Sequence, residues 1–362
     1  MYTCRQGQVT TRTSGQETGW GVAVLFVRTL AIECGRCISS YAGINTTQVA
    51  LTMSDPTAES IHRVVIAGGS GFLGSALAAH FRNDGFDVVV LTRKAQSRRD
   101  GVREVAWNGR TFGPWAKELD GAVAVINLTG KSINCRHTDK NRREIIASRV
   151  ISVRAIADAI GASATAVPVW IQASAIGIYG NAGDVICDEN APHGSDFMAD
   201  VCGQWEAAFR AAITPDTRRV VLRFGVVLGR DGGALPVLAR LARWGLGGSV
   251  GSGRQYMSWI HLDDLVSIVQ RAIDDAKMSG PYNAANHVPE TNAAFMKRLR
   301  HVVHRPWAPP APEFAVIIGS YIIGTEPSLA QHGQRCVPRR LDEEGFVFTH
   351  ENLDEALKGL LA

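Results

Sequence analysis

The sequence predicts an α/β fold in which a doubly wound parallel sheet is followed by a smaller, mixed C-terminal lobe. From residue 63 onward, short apolar runs alternate with segments of helical periodicity, a pattern typical of parallel strands joined by crossover helices. The first apolar run ends in a glycine-rich turn that leads directly into a helical segment. With 362 residues, of which 46% are hydrophobic, the chain is long enough to bury a large core.

The glycine-rich turn over residues 68–74 follows the apolar run 64–67 and has the sequence Gly-Gly-Ser-Gly-Phe-Leu-Gly. In a Rossmann-type strand–turn–helix unit, Gly68 permits the tight turn, Gly71 lets the backbone approach a pyrophosphate, and Gly74 lets the helix pack closely on its strand. The helix N-terminus adds free N–H groups and a partial positive charge. The turn therefore predicts a bound dinucleotide. Its candidate binding residues are Gly68, Ser70, Gly71, Phe72, Leu73 and Gly74.

The later elements follow in alternation. Runs rich in valine, leucine and isoleucine predict buried strands at 88–91, 102–107, 122–128, 169–174 and 219–228. A long helix is predicted from Asp139 to Ile160, because apolar side chains recur there at helical spacing and Gly161 ends the pattern. The same spacing predicts a helix with Phe197, Val201, Trp205 and Phe209 on one stripe, and further helices over 263–275 and 292–303.

These patterns divide the chain into four regions. Residues 1–61 have no clean period, so we expect a disordered extension or an upstream start, with an organellar transit peptide as the alternative. Residues 62–230 are expected to form the dinucleotide-binding Rossmann domain, to which later segments can return. Residues 231–304 are expected to form a substrate-side lobe, and 305–362 a small C-terminal domain that begins with a proline-rich connector.

Composition excludes several classes of partner. The formal charge of +4 is small and no dense Lys/Arg block is present, so we expect no nucleic-acid binding. The apolar run 21–32 is too short to span a bilayer.

The cysteines indicate location and bear on metal binding. Seven irregularly spaced cysteines favour a reducing, cytoplasmic location. The close pair Cys34 and Cys37 is interpreted as incidental, so no metal site is expected. The oligomeric state is left open, with a homodimer as one option.

The end of the second predicted strand indicates which dinucleotide is bound. An NAD-selective Rossmann unit places an Asp or Glu there to accept from the ribose 2′-hydroxyl. This chain has Thr92, Arg93 and Lys94 instead, and these cations match a 2′-phosphate. NADP is therefore predicted over NAD. The alternative is that Arg93 and Lys94 form a solvated turn.

Several further motifs accompany the glycine-rich turn, at 127–130, 144–149, 174–180, 196–206, 223–229, 251–265 and 333–338. With them, the chain resembles the extended, atypical short-chain dehydrogenase/reductase superfamily. More narrowly, it resembles epimerase-family proteins of the YfcH type, which carry a C-terminal domain of unknown function. The resemblance covers residues 63–361 and implies a nicotinamide cofactor, NADP, across the carboxyl ends of the strands.

The resemblance also implies particular contacts to this cofactor. Thr92 and Arg93 would meet the 2′-phosphate, and Leu128 and Thr129 would line the adenine and ribose path. The remaining residues implied as cofactor contacts are Glu144 and Arg149 on the long helix, and Val227 through its backbone at the nicotinamide end. The chemistry is compatible, since Glu accepts from ribose hydroxyls and Arg neutralises phosphate. The alternative for Glu144 and Arg149 is an ion pair on the helix surface.

Catalysis is less well supported by the resemblance. The superfamily ordinarily uses a Tyr-x-x-x-Lys pair after the fifth strand, in which a lowered phenol pKa allows proton transfer. The two plausible registers here give Phe197 with Val201, or Met198 with Cys202. The candidate catalytic residues are instead Ser174 and Tyr179. The alternative for Tyr179 is a packed aromatic side chain that supports its loop. His261 is interpreted as a structural residue before a helix. The family's usual tryptophans are replaced by His137 and Tyr256.

Two functions remain compatible with these observations. The first is an NADP-binding oxidoreductase or epimerase-like enzyme that acts on an unknown small carbonyl or sugar-like substrate. The second is a non-catalytic NADP-binding regulatory or scaffold protein, which the missing Tyr-x-x-x-Lys pair motivates.

Overall fold

The computed structural model describes residues 62–362. The extension expected over residues 1–61, including Cys34 and Cys37, lies outside the described residues. The strands are β1 (Arg63–Ala67), β2 (Asp87–Thr92), β3 (Arg103–Ala106), β4 (Ala122–Asn127), β5 (Val169–Ala175), β6 (Ile186–Cys187), β7 (Arg218–Phe224), β8 (Val226–Leu228), β9 (Tyr256–Met257), β10 (Trp259–His261), β11 (Gly280–Ala284), β12 (Glu290–Thr291) and β13 (Arg335–Cys336). The helices are α1 (Phe72–Asn83), α2 (Asp139–Gly161), α3 (Phe197–Arg210), α4 (Leu235–Arg243), α5 (Leu262–Asp274), α6 (Asn292–Val302), α7 (Glu313–Ile323), α8 (Ser328–Gln331), α9 (Arg339–Glu343) and α10 (Leu353–Leu361).

One seven-stranded sheet forms the centre of the fold, with the order β3-β2-β1-β4-β5-β7-β11. All of its strand pairs are parallel. This confirms the predicted α/β fold. The chain first proceeds from β1 to β3 and then crosses to the other side of β1 to form β4. The order reverses between β1 and β4, which opens a crevice at the carboxyl ends of the strands.

Both faces of the sheet are buried, which is why its strands are almost continuously apolar. Val64 and Ile66 of β1 belong to one core cluster, to which α1 and α5 contribute. Val65 and Ala67 belong to the other, to which α2 and α3 contribute. The alternating side chains of a single strand therefore anchor helices on opposite faces, and this fixes the helix ends around the crevice.

The prediction of one strand over 219–228 is wrong, because the chain changes partner at Gly225. Before it, β7 pairs with β11, and after it, β8 pairs with β10. A Cβ on Gly225 would lie 2.6 Å from the Ser258 carbonyl oxygen, so a larger residue would clash where the two backbones meet. The break separates the large sheet from the short β8–β10 ladder.

The sequence pattern does not predict β11, although this strand completes the large sheet. Its sequence, Gly-Pro-Tyr-Asn-Ala, contains no apolar run. β11 lies at the edge of the sheet, where a proline such as Pro281 is tolerated because only one side of the strand is paired. Its pairing with β7 was decided by tertiary contacts.

The C-terminal residues are held against the rest of the fold by buried polar contacts. The Asp264 carboxylate, at the start of α5, accepts from the backbone N–H groups of Thr349 and His350. The Ser258 hydroxyl donates to the Gln334 carbonyl and accepts from the Cys336 N–H. Within residues 62–362, no helix has the length and apolar character needed to cross a membrane.

Candidate dinucleotide-binding site

The site lies at the crevice between β1 and β4, where the loops after these strands meet. Gly68 has φ +75°, and a Cβ there would lie 3.0 Å from the Thr129 backbone. The Gly68 N–H donates to the Leu91 carbonyl, and the Leu128 N–H donates to the Ala67 carbonyl. These contacts fix the turn after β1 against the ends of β2 and β4. Gly68, Leu128 and Thr129, predicted as separate contacts, therefore line one crevice.

The glycines of the turn differ in what surrounds them. A Cβ on Gly74 would lie 2.3 Å from Cα of Gly69, so the first turn of α1 packs directly on the loop. A Cβ on Gly71 would meet nothing closer than 4.0 Å, and Gly71 is exposed. Gly71 is also the N-cap of α1, which has no side-chain cap and no acidic residue in its first turn. The N–H groups of this turn are thus left for an anionic acceptor.

Phe72 and Leu73 contribute to packing. Cβ atoms built on Gly229 and Gly232 would come within 2.4 and 2.5 Å of the Phe72 ring, which places this ring against the loop after β8. Leu73 packs partly buried against the core beneath α1. The two side chains hold the turn in position. Their direct contact to a cofactor stays a prediction.

The end of β2 leaves its cations available to a ligand. The buried Thr92 hydroxyl lies 3.3 Å from the Ser70 hydroxyl and links β2 to the glycine-rich turn. Arg93 and Lys94 are exposed, and neither side chain forms an ion pair with any residue in 62–362. No carboxylate side chain occupies these positions. Free cations beside the glycine-rich turn match the charge of a 2′-phosphate.

Glu144 and Arg149 lie on α2 but have different environments. Glu144 forms a hydrogen-bonded ion pair with Lys131, and this cation lowers the pKa of the carboxyl. The Arg149 guanidinium is half-buried, lies 4.9 Å from the Trp205 ring centroid, and donates to the carbonyls of Lys131 and Ile145. It has no carboxylate partner among the described residues, and burial lowers its pKa. Arg149 is therefore a poorly neutralised cation next to the loop after β4.

Ser174 and Tyr179 are brought into one buried network. The Ser174 hydroxyl donates to Glu206 Oε1 at 2.7 Å, and Arg223 binds both oxygens of the same carboxylate at 2.9 Å. Arg223 also donates to the Tyr179 hydroxyl, which in turn donates to Asn283 Oδ1. Such a bidentate pair, buried with its hydrogen bonds satisfied, holds the ends of β5 and β7 together.

The contacts of Tyr179 favour a positioning role. Its hydroxyl already donates and accepts within the protein, the side chain is 3% exposed, and burial raises its pKa. Cys202 offers no replacement, because burial raises the pKa of its thiol to about 12. Met198 and Cys202 instead pack against Gly177, in the 3₁₀ helix Ile176–Tyr179 that follows β5. Catalysis by Ser174 and Tyr179 stays a prediction.

Sequence reasoning missed Glu206 and Asn283 as members of this network. Glu206 is one turn beyond Cys202 on α3, and Asn283 lies on the unpredicted strand β11. The one available signal was Arg223 within an apolar strand, since a buried arginine needs an anionic partner. Periodicity alone does not identify that partner.

Val227 lies in β8, opposite Ile260 of β10. A Cβ on Gly233 would lie 2.8 Å from the Val227 carbonyl oxygen, so the loop after β8 passes close over this backbone. The predicted approach of the Val227 backbone to a nicotinamide is not tested by these contacts.

One observation tests whether the crevice fits a dinucleotide. The Thr129 hydroxyl is buried beside Gly68 and has no hydrogen-bond partner. A buried polar group without a partner is costly, and a ribose or phosphate oxygen in the crevice would satisfy it. Together with the uncapped start of α1 and the free Arg93, this indicates that the residues present fit such a ligand.

His261, Asp263 and His350 bring metal-ligand atoms within 4.8 Å of one another. Their arrangement is nevertheless typical of a capped helix. The His261 Nδ1 accepts from the Asp263 N–H, as expected for a structural residue that begins α5. The His261 and His350 rings are stacked, with centroids 3.6 Å apart. Each imidazole lone pair lies in the plane of its own ring, and two stacked planes do not favour convergence on one cation.

Comparison with known proteins identifies the family. The sequence pattern of the NAD dependent epimerase/dehydratase family matches residues 64–285. The chain belongs to this family. A domain of unknown function, DUF1731, matches residues 311–360, as the resemblance implied for the C-terminal unit. The epimerase family protein YfhF of Bacillus subtilis is 34% identical over 83% of this chain and 98% of its own length.

Two solved structures of relatives share the fold. The human epimerase family protein SDR39U1, crystallised with NADPH, has a TM-score of 0.74 and 30% identity, covering 82% of this chain and 98% of that chain. A nucleoside-diphosphate sugar epimerase from Corynebacterium glutamicum has a TM-score of 0.67 and 33% identity, covering 83% of this chain and 58% of that one.

Proposed function

We propose that this protein binds NADP(H) and transfers hydride between the nicotinamide and a small carbonyl or sugar-like compound, as an oxidoreductase or epimerase-like enzyme. The observation that carries the proposal is the crevice between β1 and β4, which combines an uncapped helix N-terminus with the exposed, unpaired Arg93 at the end of β2. The NADPH bound to the human relative supports the choice of cofactor.

In this proposal, the chain's own residues divide into two groups. The turn 68–74 would hold the pyrophosphate, Thr92 and Arg93 the 2′-phosphate, and Leu128 and Thr129 the adenosine path. Glu144, Arg149 and the Val227 backbone would contact the cofactor further along the crevice. Ser174 is kept as a candidate catalytic residue, and Tyr179 as its positioning partner through Arg223 and Glu206.

The second candidate function is a non-catalytic NADP-binding regulatory or scaffold protein. The observation that favours it is the composition of α3, which has neither a phenol nor an ammonium in either plausible register, Phe197 with Val201 or Met198 with Cys202. With the Tyr179 hydroxyl already used by Arg223 and Asn283, no phenol in this network is free to transfer a proton. A cofactor can be bound without being consumed.

One experiment separates the two functions. Purified protein is titrated with NADPH and NADH by calorimetry. It is then mixed with NADPH and a panel of aldehydes and ketones while the nicotinamide absorbance is followed, and with NADP and a panel of sugars whose products are analysed for epimers, because an epimerase returns the hydride and leaves the absorbance unchanged. The enzyme proposal expects tight, NADPH-selective binding and turnover that Ser174→Ala lowers. Tyr179→Phe is expected to lower turnover less, since it removes only hydrogen bonds within the network.

The outcomes are distinct. Tight binding with no turnover over the whole panel would support the non-catalytic function. Equal affinity for NADH, or no binding, would contradict the cofactor assignment itself. Turnover that Ser174→Ala leaves unchanged would remove Ser174 from the site. A cytoplasmic location and a homodimer remain predictions from the sequence.

A further inference from the structure

Helix α7 in the C-terminal unit exposes an unusually apolar surface. Phe314, Ile317, Ile318 and Tyr321 are spaced so that they lie on one side of the helix, and we call them the apolar stripe. Their exposures are 67%, 44%, 55% and 65%. The opposite side of the helix, with Ser320, is the more buried one. A cluster of large exposed apolar side chains marks a binding surface.

Contacts at the C-terminal end of α7 join one end of the apolar stripe to the loop after β4. The Arg136 guanidinium lies 3.5 Å from the Tyr321 ring centroid. The His137 N–H donates to the carboxylate of Glu326, just beyond α7. Arg136 and His137 belong to the loop that follows β4, the same loop that begins with Leu128 and Thr129 in the crevice. The stripe therefore borders the carboxyl edge of the sheet.

The loop after β4 also contacts the start of α3. The His137 ring lies 5.0 Å from that of Phe197, and the Arg142 guanidinium lies 4.6 Å from the same ring. Phe197 is the first residue of α3, next to Met198, which packs at the end of β5. We call the apolar stripe and the side chains of Arg136, His137, Arg142 and Phe197 the wall. It extends from α7 to the strand ends, where the substrate of a Rossmann enzyme binds.

The wall carries Arg136 and Arg142 together with the Glu326 carboxylate, which accepts from the His137 N–H. The guanidiniums of Arg136 and Arg142 stack on aromatic rings and form no ion pair with residues of the described part of the chain. The apolar stripe itself has no charged member. An occupant that complements both features has an apolar body and an anionic end.

We propose that the apolar stripe and Arg136 form the outer wall of the substrate site, and that they bind an amphipathic carboxylate, with its apolar body on the stripe and its anionic end at Arg136. The inference rests on the proposed function, since it names the substrate class of that site. It disfavours a nucleotide sugar, whose polar surface would leave the stripe uncovered.

The test uses the full chain and an anionic, apolar dye, anilinonaphthalene sulfonate, as the probe. Dye fluorescence is titrated with and without NADPH, and bound dye is then competed with decanoate, decanol or UDP-glucose. Decanoate is expected to displace the dye better than decanol, and UDP-glucose to leave it bound. Phe314→Ser combined with Ile318→Ser is expected to weaken decanoate binding by about tenfold or more, through lost apolar burial.

Two comparison variants make the test specific. Arg136→Gln is expected to weaken decanoate binding and leave decanol binding unchanged. Ile213→Ser removes another highly exposed apolar side chain, away from α7. It is expected to change neither decanoate binding nor decanol binding. NADPH affinity, measured in parallel, is expected to stay the same in all three variants, which separates this inference from the cofactor assignment.

Several results would overturn the inference. These are the absence of dye binding, displacement by UDP-glucose in place of decanoate, or equal effects of the stripe variant and Ile213→Ser. A dimer that the stripe variant dissociates would also overturn it, because a second copy would then cover the stripe. If the unmodified protein does not bind NADPH, that result contradicts the proposed function instead.

Discussion

At the scale of single residues, the arginines of this chain show how environment decides role. Arg223 is 3% exposed, and its Nε and Nη2 donate to the two carboxylate oxygens of Glu206. Removing one partner of such a pair costs about 3–5 kcal/mol of stability, because the other charge is left buried. Arg93 is exposed and has no ion pair in the described residues. Its charge is therefore free to bind a ligand.

Arg93→Asp tests the choice of NADP. We expect NADPH affinity to fall by about 10- to 100-fold, because the variant loses a charge-assisted hydrogen bond and its carboxylate repels the 2′-phosphate. NADH affinity should stay the same or rise, because Asp can accept from the ribose 2′-hydroxyl. Calorimetric titration with both cofactors measures this. Arg99→Asp is the matched control, since Arg99 is exposed in the same loop. An unchanged preference for NADPH in Arg93→Asp would exclude the 2′-phosphate role.

At the scale of elements, the turn between β1 and α1 combines a glycine that packing requires with one that packing does not require. Gly74 lies where a Cβ would overlap Gly69, whereas Gly71 borders open space. The φ of Gly71 is −90°, a value that alanine also adopts. Similar glycines in one motif therefore have different physical requirements.

Substituting alanine at each glycine separates these requirements. Gly71→Ala should leave the melting temperature of the free protein nearly unchanged and abolish its rise on addition of NADPH, because the methyl group occupies the pyrophosphate path. Gly74→Ala should lower the melting temperature by several degrees without any ligand, as overpacking costs about 1–3 kcal/mol. Thermal unfolding with and without NADPH checks both. Equal destabilisation by the two variants would contradict the assignment.

At the scale of the whole molecule, the C-terminal segment is fastened to the start of α5. The His261 ring stacks on His350, and Asp264 binds the backbone of the same segment. The pKa of His261 is lowered, because burial and the His350 ring disfavour its charged form, while Asp263 and Asp264 partly oppose this. Protonation would also remove the Nδ1 acceptor that caps α5.

This arrangement predicts a pH dependence. The ordinary pKa of histidine is about 6.5. Below this pH, His261 binds a proton more readily in the unfolded chain than in the folded protein. The free energy of unfolding therefore falls as the pH falls. His261→Asn keeps a capping side chain and removes the titration. Its melting temperature should therefore vary less than that of the unmodified protein between about pH 5 and pH 7.

His301→Asn provides the control for this measurement, because His301 is exposed on α6. Parallel pH profiles for His261→Asn and the unmodified protein would show that His261 does not contribute.

The sequence by itself determined the alternation of the first five strands of the sheet with helices, the glycine-rich turn and the basic residues after β2. These depend on local periodicity and on conformations that few residues adopt. Only the tertiary structure decided the break at Gly225, the addition of β11 and the network of Ser174, Glu206, Arg223 and Tyr179. Residues far apart in the chain meet there, and partners of that kind leave no period in the sequence. The exposure of the apolar stripe on α7 was likewise decided by packing, because the same apolar residues would be buried if another element covered them.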